Sequence, residues 1–297
     1  MTHPLMASFP FFQVDAFTDT PLSGNPCAIV MDADSLTSEQ MQAIAREQNL
    51  SETAFILHSD QADIRARYFT PSEEIPLAGH PTIASVHLLV ECRRISLTGP
   101  VTTIALELEA GIISVDILTA FGKANEIVMT QLKPQFLSLV PHDQALSAFG
   151  LSNDDLIPEK PIQIVSTGTP QLMVPVRDVD CLRGIQVDVA SFTQLRREFD
   201  FFSAHLFTLN NSETFARHFA SPPDIFEDPF TGSATGGMGA YLWHYDLIKE
   251  PVFAARQGTW MQRPGRARVT VMGPRADITS VKVAGQAVTV IVGTLNI

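Results

Sequence analysis

Three side chains that can transfer protons lie in otherwise uncharged parts of this 297-residue sequence. Glu52 precedes the apolar run Thr53–Leu57, and exclusion of water there should raise the pKa of its carboxyl group towards neutrality. His80 follows Gly79 at the start of an uncharged helix-like stretch, and Asp228 lies in a turn shortly before a second such stretch. These residue types suit general acid–base catalysis on a small molecule.

Each of the three also has a structural interpretation. Glu52 fits a strand-end carboxylate that turns towards solvent, and His80 fits a histidine that caps its helix. Asp228 fits a turn former before Pro229. Taken singly, none of them decides between catalysis and structure; together they crowd the two helix starts.

The helix starts themselves favour an anionic ligand. Gly79 leads one uncharged helix, and Gly232 with Ser233 leads another. The first turn of a helix presents amide groups without helical partners and about half a positive charge, which favours a carboxylate or a phosphate. Turn glycines are the alternative interpretation. Two such ends facing one cleft would bind a small anionic carboxylate.

Other common sites are not supported by the sequence. The stretch Gly232–Gly237 lacks the Gly-Lys-Ser/Thr ending of a P-loop, and no Gly-x-Gly-x-x-Gly follows a strand. The histidines show no metal-ligand spacing, and a Gly-x-Ser-x-Gly elbow is absent. Nothing in these patterns supports binding of ATP, NAD or a metal.

The positioning elements are repeated about half the chain apart. Each copy runs from a strand-like stretch through a polar turn into the uncharged helix, and a Gly-x-Pro stretch precedes each copy. The paired stretches are Ala66–Pro71 with Gly79–Thr82, Ala216–Ser221 with Gly232–Thr235, and Gly24–Val30 with Gly168–Val174. This pattern predicts two duplicated lobes with a ligand site in the cleft between them.

The alternation of strands with a few helices predicts an α+β fold of two pseudo-symmetric lobes. The N-terminal lobe is expected over 1–130, with a central helix over about 81–92. The C-terminal lobe is expected over 131–297, with a central helix over about 233–248, and its last strand is a candidate to return to the first lobe. A helix that is apolar nearly all round is a core helix, so strands should wrap around both. The stretch Thr37–Gln40 predicts a capping box for a further helix ending near Gln48.

Composition excludes several classes of function. Hydrophobic residues make up 45% and charged residues 18%, as in globular proteins. The net charge of −12 argues against nucleic-acid binding. The sequence has no stretch typical of a membrane span or a secretory signal, so we expect no membrane partner and a cytoplasmic location. The three scattered cysteines predict no disulfide framework.

These motifs resemble the phenazine-biosynthesis F (PhzF-like) family over almost the whole chain. The matching stretches are Phe12–Ala28 with Gly24-Asn25-Pro26, Ser51–Phe55, Phe69–Pro71, Glu74–Thr82 and Glu227–Ala234. Arg263-Pro264-Gly265-Arg266 is similar to the family's C-terminal Gly-Arg-Pro-Ser-Arg pattern. It departs from that pattern where Gly265 replaces Ser and Gln262-Arg263 replaces Gly-Arg.

The resemblance implies a diaminopimelate-epimerase-like fold, a homodimer, and chemistry without cofactor or metal. It places Glu52 on the family's proton-transferring glutamate, and His80 and Asp228 on its cleft partners. It also places Ser233 on a substrate-contacting hydroxyl, with Gly79 and Gly232 supplying the helix-end amides.

The expected activity is a cofactor-independent isomerase that moves a proton on a small unsaturated or amino-acid-like carboxylate. Related epimerases place a thiol before each helix-leading glycine, where this chain has Ala78 and Thr231. One candidate base, Glu52, suits a proton shift on one face of the substrate better than inversion of a stereocentre. The alternatives are a racemase or epimerase of the same fold, and a non-catalytic metabolite-binding protein.

Overall fold

A computed structural model of the chain describes residues 7–211, 213–222 and 224–297. The helices are α1 (Ser38–Gln48), α2 (Gly79–Glu91), α3 (His142–Phe149), α4 (Val179–Gly184), α5 (Val189–Phe199) and α6 (Gly232–His244). The chain forms two compact units, Met1–Met129 with Gly285–Ile297, and Thr130–Ala284.

The first unit is built on mixed strands around α2. Its strands are β1 (Ser8–Ala16), β2 (Asn25–Val30), β3 (Thr53–Leu57), β4 (Ile64–Phe69), β5 (Glu74–Ile75), β6 (Val101–Leu108), β7 (Gly111–Ala120), most of β8 (Lys123–Gln131), and β18 (Ala287–Asn296). Strand β1 pairs antiparallel with both β2 and β18, and β2 runs parallel to β3. Helix α2 packs against β1, β2, β3 and β18, and nine of its thirteen residues are buried, as its apolar sequence predicts.

The second unit has the same plan around α6. Its strands are β9 (Gln135–Val140), β10 (Ile162–Ser166), β11 (Pro170–Pro175), β12 (Ser203–Asn210), β13 (Glu213–Phe219), β14 (Glu227–Asp228), β15 (Val252–Gln257), β16 (Gly265–Met272) and β17 (Ser280–Gly285). Helix α6 packs against β10, β11, β12 and β16. A second apolar layer, formed by α3, α4 and α5, covers the other face of this sheet.

The sequence repeat corresponds to a repeat of strand pairing. Strands β2 to β5 pair parallel, antiparallel and antiparallel in turn, and β11 to β14 follow the same order. An arginine–glutamate pair occurs at the same place in each copy, with the guanidinium stacked on the ring two residues later. These pairs are Arg67–Glu74 at 2.6 Å over Phe69, and Arg217–Glu227 at 2.8 Å over Phe219. The fold class expected from the sequence is confirmed.

The structure corrects several sequence-based boundaries. Helix α2 begins at Gly79, two residues before the expected start, because Pro81 is tolerated in a first turn whose amides need no helical partner. Helix α6 covers Gly232–His244 and ends before 248, where Asp246 adopts a left-handed conformation with φ 55°. The end of the chain forms two strands, β17 and β18, with Gln286 between them. Strand β9 and helix α4 were not predicted.

Two local predictions concern helix ends and packing. The Thr37–Gln40 capping box is present at the start of α1. The glycines of α6 permit close approach by side chains of neighbouring strands. A Cβ at Gly239 would lie 2.8 Å from Cγ1 of Val269, and one at Gly237 would lie 2.7 Å from Cε of Met173.

Within the described residues, no helix combines the length and the apolar character needed to cross a membrane.

Candidate active-site clusters

In the first unit, His80 and Glu52 form a close pair. Nδ1 of His80 lies 3.1 Å from Oε2 of Glu52 and 3.1 Å from the amide nitrogen of Asn25. The His80 side chain is 4% exposed and that of Glu52 is 20% exposed, so water has limited access to the pair. When Nδ1 of His80 is unprotonated it accepts from Asn25, and it also lies within ion-pair distance of the Glu52 carboxylate. The imidazole is therefore placed directly beside the candidate base.

Parallel strands and the start of a helix bring these three residues together. Asn25 is the first residue of β2, and Glu52 immediately precedes β3, which is buried along its whole length. Because β2 and β3 are parallel, their first residues lie at the same edge of the sheet. His80 is the second residue of α2. The solvent-facing interpretation of Glu52 does not fit its limited exposure.

Cys27 lies behind Glu52 in the first unit and stays a thiol. It is fully buried on β2. Burial raises the pKa of the Cys27 thiol well above its usual value, and the nearby negative charge of Glu52 raises it further. The thiol is therefore not a second base at neutral pH.

In the second unit, Asp228 is held by Thr231 and Gln257. The Thr231 hydroxyl donates to Oδ2 of Asp228 in a short hydrogen bond. The amide of Gln257 donates to the backbone oxygen of Asp228 at 2.7 Å and accepts from the backbone N–H of Thr231 at 3.1 Å. Gln257 is 1% exposed, so it braces the turn from a fixed position. Asp228 is therefore a turn residue before Pro229, and its carboxylate also has a fixed orientation.

Ser233 and Gly232 are also fixed by buried or half-buried amides. Nε2 of Gln171 donates to the Ser233 hydroxyl at 3.1 Å, and Nε2 of Gln131 donates to the backbone oxygen of Gly232 at 2.8 Å. The Ser233 hydroxyl therefore accepts from Gln171 and can donate its own proton to a ligand.

Both helix starts lack a side-chain cap. The N-cap residues are Ala78 for α2 and Thr231 for α6, and the side chain of neither accepts a hydrogen bond from a first-turn amide. The amides of each first turn therefore carry partial positive charge, which a carboxylate would stabilise. Neither N-cap residue is a thiol.

The predicted site residues lie in two clusters, one in each unit. Gly79, His80 and Glu52 meet in the first unit; Asp228, Gly232 and Ser233 lie along one turn and helix start in the second. Sequence reasoning missed Asn25, Gln171 and Gln257 as members of these clusters. Asn25 and Gln171 do lie within the repeated Gly-x-Pro stretches, whereas Gln257 carried no signal.

Comparison with known proteins is consistent with this arrangement. The family model for phenazine biosynthesis-like proteins matches residues 14–293. An uncharacterized isomerase of Bacillus subtilis, YfhB, is 34% identical over 92% of this chain and 94% of its own length. The trans-2,3-dihydro-3-hydroxyanthranilate isomerase of Pseudomonas fluorescens is 32% identical over 95% of this chain and 97% of its own.

Solved structures show the same likeness. The crystal structure of a PhzF-family phenazine biosynthesis protein from Bacillus anthracis has a TM-score of 0.88 and 33% identity, covering 98% of this chain and 100% of the other. The expectation of an isomerase is confirmed at the level of the family, since the curated relatives above carry isomerase names. The chain belongs to the family of phenazine biosynthesis-like proteins.

Proposed function

We propose that this protein moves a proton on a small unsaturated or amino-acid-like carboxylate, with Glu52 as the base that removes and returns it. The observation that carries the proposal is the 3.1 Å contact between Glu52 and His80 at the uncapped start of α2. A carboxylate with little access to water, beside an imidazole that can donate or accept, is suited to proton transfer in both directions.

The second cluster supplies the remaining roles in this proposal. Asp228 and His80 hold or relay the second proton position. The Ser233 hydroxyl and the first-turn amides at Gly79 and Gly232 bind the substrate carboxylate. Positioned acid and base groups contribute roughly 10²- to 10⁴-fold, and orientation of the bound anion contributes the rest.

A proton shift is favoured over racemisation by the residues before the two helices. Inversion of a stereocentre needs a base on each face of the substrate, and Ala78 and Thr231 cannot serve as the thiols of the related epimerases. A single enantiomer incubated in deuterated water should therefore exchange or isomerise without forming its mirror image. Formation of the other enantiomer would make the protein a racemase instead.

The substrate class can be tested with the compound that the Pseudomonas fluorescens relative is named for. Trans-2,3-dihydro-3-hydroxyanthranilate and a panel of small cyclic carboxylates would be incubated with the protein in deuterated water and followed by NMR. Incorporation of deuterium at carbon supports the isomerase. Saturable binding without incorporation into any compound would make the protein a metabolite-binding protein.

Glu52→Gln tests the assignment of the base. We expect exchange to fall by at least about 10²-fold while ligand binding and the unfolding midpoint stay close to wild type, because glutamine keeps the shape but cannot accept the proton. Glu47→Gln, at an exposed position of α1, is the matched control and should exchange normally. Normal exchange in Glu52→Gln would remove Glu52 from the mechanism. The scheme uses no cofactor, so exchange should survive dialysis against a chelator.

We also propose that the protein is a homodimer. Strand β9 exposes two apolar side chains, Leu137 at 40% and Leu139 at 59%, which a second copy would cover. Light scattering should give twice the chain mass of 32.5 kDa, and Leu139→Glu should shift the mass towards the monomer. A monomer at micromolar concentration would contradict the proposal.

A further inference from the structure

A row of three titratable side chains crosses the second unit beside Asp228. His205 on β12 is the cross-strand partner of His218 on β13, and His218 is the cross-strand partner of Asp228 on β14. Directly opposed residues project from the same face of a sheet, with Cβ atoms about 4.5 to 5.5 Å apart. The three side chains therefore lie side by side, ending at the carboxylate already placed in the candidate site.

The two histidines are in direct contact and out of reach of water. Their Nδ1 atoms lie 3.2 Å apart, and both rings are buried. Such a bond needs one Nδ1 that carries a proton and one that does not, so the two rings hold opposite tautomers and cannot both be charged.

Burial decides which ring donates. Nε2 of His205 has no hydrogen-bond partner among the described residues. An unpaired buried N–H is rarer than an unpaired buried acceptor, so the proton of His205 belongs on Nδ1, where it is donated to His218. His218 must then carry its proton on Nε2, the nitrogen that points away from β12. Asp228 lies on that side.

The surroundings keep both rings neutral. Burial lowers the pKa of His218 to about 4 even though the negative charge of Asp228 opposes this shift. Burial also lowers the pKa of His205 well below its usual value, and the neighbouring His218 lowers it further. At neutral pH neither imidazole of the row therefore carries a charge.

Among the described neighbours of the row, no other charged group faces it. Met173 is the partner of His205 on β11, and helix α6, which packs against β12, has no titratable side chain before Tyr241. Arg217 and Glu227, the neighbours on β13 and β14, alternate to the opposite face and pair with each other at 2.8 Å.

The duplication supplies a natural comparison. The equivalent row of the first unit is Ala54, Tyr68 and Ile75, in the same register on β3, β4 and β5. There the tyrosine hydroxyl bonds the Thr82 hydroxyl of α2 at 2.9 Å. The fold is thus satisfied without histidine at these positions. The histidines occur in the copy that also has the carboxylate, which links them to Asp228 and not to the strand scaffold.

We propose that His218, backed by His205, is a positioning residue for Asp228: its Nε2–H donates towards the carboxylate and holds it in the orientation set by Thr231. The effect of this orientation on catalysis rests on the proposed function. Asp228 then accepts a hydrogen bond from a proton-bearing group of the substrate, and the proton delivered to the product comes from Glu52.

The tautomers can be tested without any substrate. Long-range proton–nitrogen correlation spectra of the ¹⁵N-labelled full-length protein at pH 7 should show neutral His218 protonated on Nε2 and neutral His205 protonated on Nδ1. Assignment uses His205→Asn and His218→Gln. Reversed tautomers, or an imidazolium at pH 7, would overturn the inference. Asp228→Asn should lower the protonation midpoint of His218, because the anion that favours its charged form is removed; an unchanged midpoint would also count against it.

Rescue by a conservative variant tests the effect on Asp228. In His218→Phe, kcat/KM for exchange should fall about tenfold, because a hydrogen bond that orients the carboxylate is lost. His218→Gln, which keeps a donor, should restore the wild-type value, and His58→Phe at an exposed site should leave it unchanged. A folded His218→Gln that stays as impaired as His218→Phe would reduce His218 to a structural role. Absence of exchange in the wild type would instead defeat the proposed function, and the NMR result would still decide the tautomers.

Discussion

Lowering the pH from 7 to 5 should destabilise this protein through its buried histidine pair. His218 titrates at 6.5 when unfolded, and its folded pKa is lowered to about 4. Between these values the unfolded chain binds a proton that the folded protein does not, so the free energy of unfolding falls as the pH falls. The loss accumulates over the 1.5 pH units from 6.5 to 5, which corresponds to about 2 kcal/mol. His205 adds a loss of the same sign.

A double variant isolates this contribution. His205→Ala with His218→Tyr copies the Ala54–Tyr68 pair of the first unit, and the introduced hydroxyl has a partner available. Thr235 occupies the place of Thr82, since each threonine hydroxyl donates to the N-cap oxygen of its helix, at 2.9 and 2.8 Å. The variant should therefore fold, and its stability should depend less on pH.

Urea unfolding at pH 5, 6, 7 and 8 gives the comparison directly. The wild type should lose at least about 2 kcal/mol more than the double variant between pH 7 and 5, with most of the difference below pH 6.5. His58→Phe, at an exposed site, should keep the wild-type slope. Equal losses in the wild type and the double variant would refute the assignment of a neutral buried pair.

Two further substitutions test how the repeat is held together. Gly24→Ala should destabilise the first unit by about 3 kcal/mol or more, because Gly24 has φ 59° and a Cβ would lie 2.1 Å from the backbone oxygen of Ala16. Thermal unfolding measures this loss. Gly99→Ala is the neutral control, because among the described residues a Cβ there would have no neighbour within 4 Å beyond those adjacent in the chain. Arg217→Lys should cost about 1 to 3 kcal/mol, because lysine cannot make both bonds to Glu227 at 2.8 and 2.9 Å together with the bond to the Ile185 oxygen at 3.1 Å. Urea unfolding measures this loss of stability. Arg183→Lys, at an exposed site, should have little effect on the free energy of unfolding. A loss for Arg183→Lys equal to that for Arg217→Lys would contradict the role of the bidentate geometry.

Much of the fold followed from local pattern. The capping box of α1, the two uncharged helices and the repeated Gly-led turns depend on residues close in sequence, so they could be predicted. Strand β9 was missed because its side chains are mostly exposed and give no buried–exposed alternation. Helix α4 is too short for a helical period to emerge, although Asp178 caps it.

The candidate site was predictable only where the chemistry lies in one motif. Glu52 and His80 stood out because each lies beside an uncharged stretch, and Asp228 because it shortly precedes the Gly-led start of the second uncharged helix. The partners that orient them come from distant strands: Asn25 reaches His80 from β2, and Gln257 reaches Asp228 from the end of β15. Such contacts depend on strand register, which a one-residue slip would change entirely.

The row formed by His205, His218 and Asp228 also could not be predicted from the sequence, and this row bears on function. His205 and His218 each look like an ordinary polar residue in a β-rich stretch, and only the register of β12, β13 and β14 aligns them with Asp228. In the first unit, alanine, tyrosine and isoleucine fill this row, so the scaffold does not require imidazoles. Two buried histidines reduce the free energy of unfolding at any pH at which they are protonated in the unfolded chain and neutral in the folded one. A feature that lowers stability in only one of two equivalent copies, and ends at an oriented carboxylate, is best explained by the proton chemistry of that carboxylate.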